Sequence, residues 1–203
     1  MKTAVLYIHG KGGSAAESEH YKPLFSECDV IGLDYNLLAS SETEQAEIEI
    51  KAAVKCLQSD YEKIILIANS IGAFISMNAD IEDMVDTAYF ISPIADMERL
   101  IIDMMKWENV SEDELKEKGI IETSFGETLS WEYLCHVRKQ PIKWRVDTYI
   151  IYGSNDNLTS IDTITEFASR HGAILNVMEN GEHWFHTEEQ MRFIDDVITK
   201  SRR

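Results

Sequence analysis

Positive charge is scarce in this chain: 19 lysines and arginines stand against 36 aspartates and glutamates in 203 residues, a formal net charge of −17. A surface of that sign repels phosphate backbones and anionic headgroups, so no nucleic-acid partner and no membrane partner is expected, and strongly anionic substrates are disfavoured. Cysteine is equally thin. Cys28, Cys56 and Cys135 are odd in number, widely spaced and without metal-type pairing. They read as reduced, mostly buried thiols of a cytoplasmic protein. No apolar stretch approaches the roughly 20 residues of a membrane span. The apolar run at residues 4–8 is too short for the core of a signal peptide. Linkers, low-complexity segments and internal repeats are also missing, which leaves one domain over residues 1–203.

What the chain does contain is an alternation of short apolar runs with amphipathic segments. Residues 3–8, 29–34, 63–68, 86–92, 145–152 and 173–178 read as strands. A helix is expected over 41–59, with Ala46, Ile50, Ala53, Val54 and Leu57 as its apolar stripe. Further helices are expected over 161–171 and from the cap Thr187 through 200. This rhythm predicts an α/β architecture, a mostly parallel sheet of about six strands joined by right-handed crossovers. The acids Glu42, Glu44, Glu47 and Glu49, and Glu112, Asp113, Glu114 and Glu117, read as solvated helix faces. Between residues 94 and 142 the alternation breaks. Helices are expected there over 97–107, from the capping box of Ser111 and Glu114 to Gly119, and over 128–139.

The chain is organised around residues 62–79. A buried strand runs into Ala68-Asn69-Ser70-Ile71-Gly72, after which the apolar spacing becomes helical. Small residues two positions before and two after Ser70 leave room for a sharp strand-to-helix turn that holds a hydroxyl out at the sheet edge. The plainer alternative makes Asn69 or Ser70 a helix N-cap. This small-x-Ser-x-Gly junction resembles the serine elbow of the α/β-hydrolase superfamily, with Ala68 where glycine is commoner, and the resemblance extends over nearly the whole chain. It implies an α/β-hydrolase fold in which residues 94–142 form a short helical lid, with Met104, Trp107 and Trp131 walling an apolar pocket; the alternative for these residues is core packing.

Residues 9–14 bring three glycines after the first strand without the dinucleotide or Walker spacing, so a phosphate-binding loop is not supported. The family resemblance instead implies an oxyanion loop, whose Lys11 amide, or the neighbouring Gly12 amide, would pair with that of Ile71. His9 reads as a residue that fixes this loop. In chain order the resemblance implies Ser70 as nucleophile, Asp156 as acid and His183 as base, each just past the end of a predicted strand. His183 precedes Trp184 and follows Gly181 as that family's histidine does, whereas His186 reads as structural. Two histidines at that spacing without a third ligand make a weak metal signal. Hence no metal and no cofactor are expected. The reading is a serine hydrolase, a carboxylesterase for small to medium uncharged acyl esters, existing as monomer or homodimer. Its alternatives are a thioesterase or serine peptidase of the same fold, or an inactive binding module.

Overall fold

Apolar residues on both faces of a strand demand cover on both sides, and the chain supplies it. The structure, a computed structural model, describes residues 2–35, 37 and 43–202. It opens with β1 (Thr3–Ile8), a 3-10 helix (Ala15–Tyr21), β2 (Asp29–Leu33), α1 (Glu44–Leu57), β3 (Lys63–Asn69), α2 (Ile71–Asn78) and β4 (Thr87–Ile91). Then follow α3 (Met97–Trp107), α4 (Glu112–Lys118), β5 (Ile120–Glu122), β6 (Thr128–Ser130) and α5 (Trp131–Val137). The chain closes with β7 (Asp147–Gly153), α6 (Ile161–His171), β8 (Ile174–Met178) and α7 (Glu188–Ser201). Six strands form one sheet in the order β2-β1-β3-β4-β7-β8, and every pairing in it is parallel. Alternate residues divide between the two faces. Leu6, Ile8, Leu66 and Phe90 join a core with Ile50, Val54, Ile75 and Ile164. Val5, Tyr7, Ile67 and Ile91 join another with Tyr21, Phe25, Ile194 and Ile198. That double burial is why the central strands read as unbroken apolar runs.

Because all six strands run the same way, the loops that leave them gather along one edge. The order reverses direction at β1, so the loops after β1 and β3 open away from each other and leave a crevice there. The segment between β4 and β7 sits beside that edge. Its α3, α4 and α5 are tied by Arg138, whose guanidinium donates to Glu98 at 2.7 Å and to both oxygens of Glu112 at 2.7 and 2.9 Å.

The structure corrects four sequence expectations. Residues 128–130 are not helical: they pair antiparallel with 120–122 around a turn in which Gly126 has φ 82°. Ser130 then caps α5, so that helix starts three residues later than its apolar spacing suggested. The cysteines are not buried, Cys56 being exposed and Cys28 and Cys135 half-buried, and all three are free thiols. Among the acids, Glu44, Glu112, Asp113 and Glu117 are exposed, whereas Glu47, Glu49 and Glu114 are half-buried. The helix expected from residue 41 is seen from Glu44; Ser41 and Glu42 lie outside the described residues. Among the described residues no helix is long and apolar enough to cross a membrane.

Candidate active site

The turn out of β3 is strained. Ser70 has φ 49° and ψ −120°, a backbone conformation that costs a residue with a β-carbon on the order of 1–3 kcal/mol. Hydrogen bonds from both sides hold it there: the Ser70 N–H donates to Ile91 O at 2.9 Å, and Ser70 O accepts from Ala73 N and Ile94 N, each at 3.2 Å. Gly72 explains the small-residue requirement. A β-carbon at that position would lie 2.3 Å from His9 O, so the helix and the loop after β1 touch through backbone. Ser70 occupies the N-cap position of α2, yet its side chain makes no capping bond. Its hydroxyl lies 2.8 Å from His183 Nε2 instead, which sets the capping alternative aside.

His183 comes from the loop after β8, and its Nδ1 meets Asp156 Oδ2 at 2.7 Å. The Asp156 side chain is wholly buried. Its second oxygen accepts from the amides of Leu158 at 2.8 Å and Thr159 at 2.9 Å, an Asx-type turn that fixes the carboxylate and compensates its burial. The acid and histidine loops are joined through backbone: Asn155 N–H donates to Gly181 O at 2.8 Å and Ser154 N–H to Met178 O at 3.0 Å. A β-carbon on Gly153 would meet the Gly181 carbonyl at 2.3 Å, so only glycine lets these two loops close. Hydroxyl, imidazole and carboxylate thus form one hydrogen-bonded line, its serine 113 positions and its aspartate 27 positions from the histidine.

The amides of Ile71, next to Ser70 in the chain, and of Lys11 and Gly12 in the loop after β1 have no backbone acceptor among the turn and loop hydrogen bonds of the described residues. The Ile71 amide opens α2, where the aligned peptide dipoles favour negative charge. His9 is buried, stacks on Tyr35 with ring centroids 4.4 Å apart, and places its Nδ1 2.8 Å from Gly10 O, as a loop-fixing residue should. His186 stacks on Trp184 at 4.5 Å, with its Nδ1 2.7 Å from Trp184 O, and takes no part in the Ser70 line. Among the described residues no group of three or more His, Cys, Asp or Glu is arranged to hold a metal.

Two cavities meet at Ser70. A smaller one of about 190 Å³ runs beneath the β4–β7 segment and is lined by Ile71, Leu100, Ile101, Met104, Trp107 and Tyr133 among others. Met104 and Trp107 are therefore in its wall, and Trp107 packs edge-on against Phe125 at 6.0 Å. Trp131 is not in that wall. It opens α5 on the side facing α4, where the Lys116 ammonium sits 5.7 Å above its ring. A larger chamber of about 700 Å³ lies on the His183 side, with Tyr7, Glu17, His20, Tyr21 and Trp184 in its lining. Sequence reasoning missed Glu17, Tyr7 and His20 there, and it missed the Leu158 and Thr159 amides. For the amides a signal existed, an aspartate two and three residues ahead of them.

No protein-family model matches the sequence, and comparison with curated proteins finds no relative. Comparison with solved structures does find likenesses. Est1E from Butyrivibrio proteoclasticus superposes with a TM-score of 0.77 at 15% identity, over 99% of this chain and 86% of that one. Alpha/beta hydrolase domain-containing protein 10 from mouse gives 0.72 at 16%, over 98% and 89%. A Pyrococcus furiosus esterase gives 0.65 at 17%, over 99% and 80%. Parallel sheet order, strand-serine-helix elbow and these near-complete superpositions agree: the chain has the α/β-hydrolase fold.

Proposed function

We propose that the protein is a serine hydrolase, a carboxylesterase that uses Ser70 as nucleophile, His183 as general base and Asp156 as the residue orienting it. The observation that carries this reading is the unbroken hydrogen-bonded line from the Ser70 hydroxyl to a buried, amide-anchored carboxylate. As Ser70 Oγ bonds to the substrate carbonyl carbon, its proton passes to His183 Nε2 and the carbonyl electron pair moves onto oxygen. The amides of Lys11 and Ile71 receive that oxyanion; Lys11, which lines both cavities, suits the role better than Gly12, which lines only one. Asp156 keeps the imidazole in the tautomer that accepts at Nε2. Collapse expels the leaving group, which takes the proton from His183. Water, deprotonated by the same nitrogen, then cleaves the acyl-enzyme.

The smaller cavity lies below the usual range of about 300–1,000 Å³ for ligand pockets and is apolar, so it suits a small to medium uncharged acyl group. Residues 94–142 act as a short lid over it within a single domain. Esterases and hydrolases among the structural neighbours support the class of reaction, and ferulic acid has been seen bound to Est1E. The protein works in the cytoplasm on small molecules, as monomer or homodimer.

A fluorophosphonate probe tests this directly. Native protein should be labelled and Ser70→Ala should not. Absence of labelling, or equal labelling of both proteins, overturns the proposal. Short-chain esters set against thioesters and aminoacyl amides then separate esterase from thioesterase or peptidase.

A further inference from the structure

The two cavities at Ser70 are chemically unlike, and the reaction assigns them different halves of the substrate. A leaving group must receive its proton from His183 Nε2, so it lies on the side of Ser70 that His183 faces. His183 lines the larger chamber and is missing from the lining of the smaller one. The large chamber is therefore the leaving-group side, on the hydrolase reading given above.

The ionisable groups of that chamber are unequally partnered. Lys11 is paired with Glu127 at 2.6 Å, His20 with Asp195 at 2.7 Å, and His183 with Asp156. Glu17 is different. Its carboxylate accepts from the Tyr7 hydroxyl and from the Ser14 N–H at 3.2 Å, both neutral donors, and no cation pairs with it among the described residues. Tyr7 spends its hydroxyl proton on Glu17 and accepts from Asn69 Nδ2 at 2.8 Å, which leaves Asn69 Oδ1 buried without a partner. The spare hydrogen-bonding capacity of this wall thus belongs to acceptors, the solvent-exposed Glu17 carboxylate among them. Around it stand aromatic rings: the buried Tyr7 and Tyr21, centroids 5.3 Å apart, whose edges reach the lining, and Trp184, 73% exposed at the rim. A carboxylate without a cation partner among the described residues, beside an exposed indole, suits a cationic group with N–H to donate.

We propose that the chamber binds a leaving group bearing a protonated amine, with Glu17 as its counter-ion, so that the preferred substrates are small acyl esters of amino alcohols. The net charge of −17 concentrates such cations near the protein without selecting among them. Selection falls to Glu17.

The test compares dimethylaminoethyl butyrate with its neutral isostere isopentyl butyrate at neutral pH and low salt. The native protein should favour the cationic ester about threefold in kcat/KM, the scale of one solvent-exposed cation–aromatic and carboxylate contact. Glu17→Gln keeps an acceptor for Tyr7 and a residue suited to the 3-10 helix capping box, and should bring the ratio near one. Glu117→Gln, which removes the same charge from the remote exposed face of α4, should leave the ratio as in the native protein. Equal rates for the two esters in the native protein, or a preference that survives Glu17→Gln, overturns the proposal while leaving the hydrolase reading intact. If neither ester is cleaved, ligand-observed NMR of Ser70→Ala with dimethylaminoethanol and isopentanol decides the matter. Glu17-dependent preference for the amine upholds the site although the hydrolase reading has failed; equal binding sinks both.

Discussion

Gly72→Ala separates two accounts of the elbow. If residue 72 mattered only as a helical position, alanine would stabilise the protein by up to about 1 kcal/mol, because glycine is the poorer helix former. The structure says otherwise. The new methyl would stand 2.3 Å from His9 O and 3.0 Å from Ile8 Cγ2, where ordinary contact begins at 3.4 Å. The first obstacle is a backbone carbonyl, already bonded by the Tyr35 hydroxyl at 2.7 Å, so it cannot swing aside as a flexible side chain would. Opening the junction by about 1 Å costs an overpacking penalty of about 1–3 kcal/mol, which outweighs the helical gain in most of that range. The displaced loop carries Lys11, so an oxyanion amide moves with it, and an error of about 1 Å in such a group lowers kcat/KM by about 10²-fold. Urea unfolding should show a lower midpoint at unchanged slope, and hydrolysis of p-nitrophenyl butyrate the loss in rate. A variant as stable as the parent with full activity would refute the packing argument and the placing of the oxyanion loop together.

Three further outcomes are expected. Asp156→Asn leaves the Leu158 and Thr159 amides an acceptor but no longer selects the tautomer of His183, so kcat should fall by about 10⁴-fold with KM little changed; a fall below about tenfold would remove Asp156 from the mechanism. Met104→Trp fills the smaller cavity, so hexanoyl esters should lose at least about tenfold relative to acetyl esters, and an unchanged chain-length profile would place the acyl group elsewhere. Burial pushes the phenols of Tyr7, Tyr21, Tyr35 and Tyr133 well above their ordinary 10.0 and that of Tyr152 up to about 12. Above pH 10.0 the unfolded chain therefore releases protons that the folded chain keeps. Stability, complete below that pH, should fall by about 1.4 kcal/mol per pH unit for each phenol, and urea midpoints that stay level from about pH 9 to about pH 11 would contradict this.

The sheet was legible because its central strands are buried on both faces, so that local composition alone marks them, and the half-covered edge strands β2 and β8 keep enough Ile, Leu and Val to read alike. The elbow was legible for a related reason: Ala68, Ser70 and Gly72 answer a steric demand within five residues, and the contact that imposes it, Gly72 against His9 O, is made by the loop that leaves β1, the strand paired with β3. Asp156 and His183 follow strand ends, and a parallel sheet brings strand ends together whatever lies between them. None of this holds for the β5–β6 hairpin. Its strands are three residues long, too short for alternation to show, and two residues of the second are Thr and Ser, so the helical spacing of Leu129, Tyr133 and Leu134 overrode it. The direction of Trp131 was hidden for the same cause, since a residue expected inside a helix is instead the first residue of α5, directly after the hairpin strand. Lys11 and Glu127 meet across 116 positions with no local trace in either segment. Glu17 sits in a seven-residue 3-10 helix whose sequence says only that it is polar. The division has a physical basis. Reaction chemistry is placed by backbone at the ends of strands, which sequence marks, whereas choice of substrate is placed by side chains reaching from separate loops into a shared space. A chain of this fold can therefore disclose a candidate nucleophile and conceal what it attacks, and substitution at Glu17 and Met104, which line the two different cavities beside Ser70, is where the proposed choice of substrate is tested.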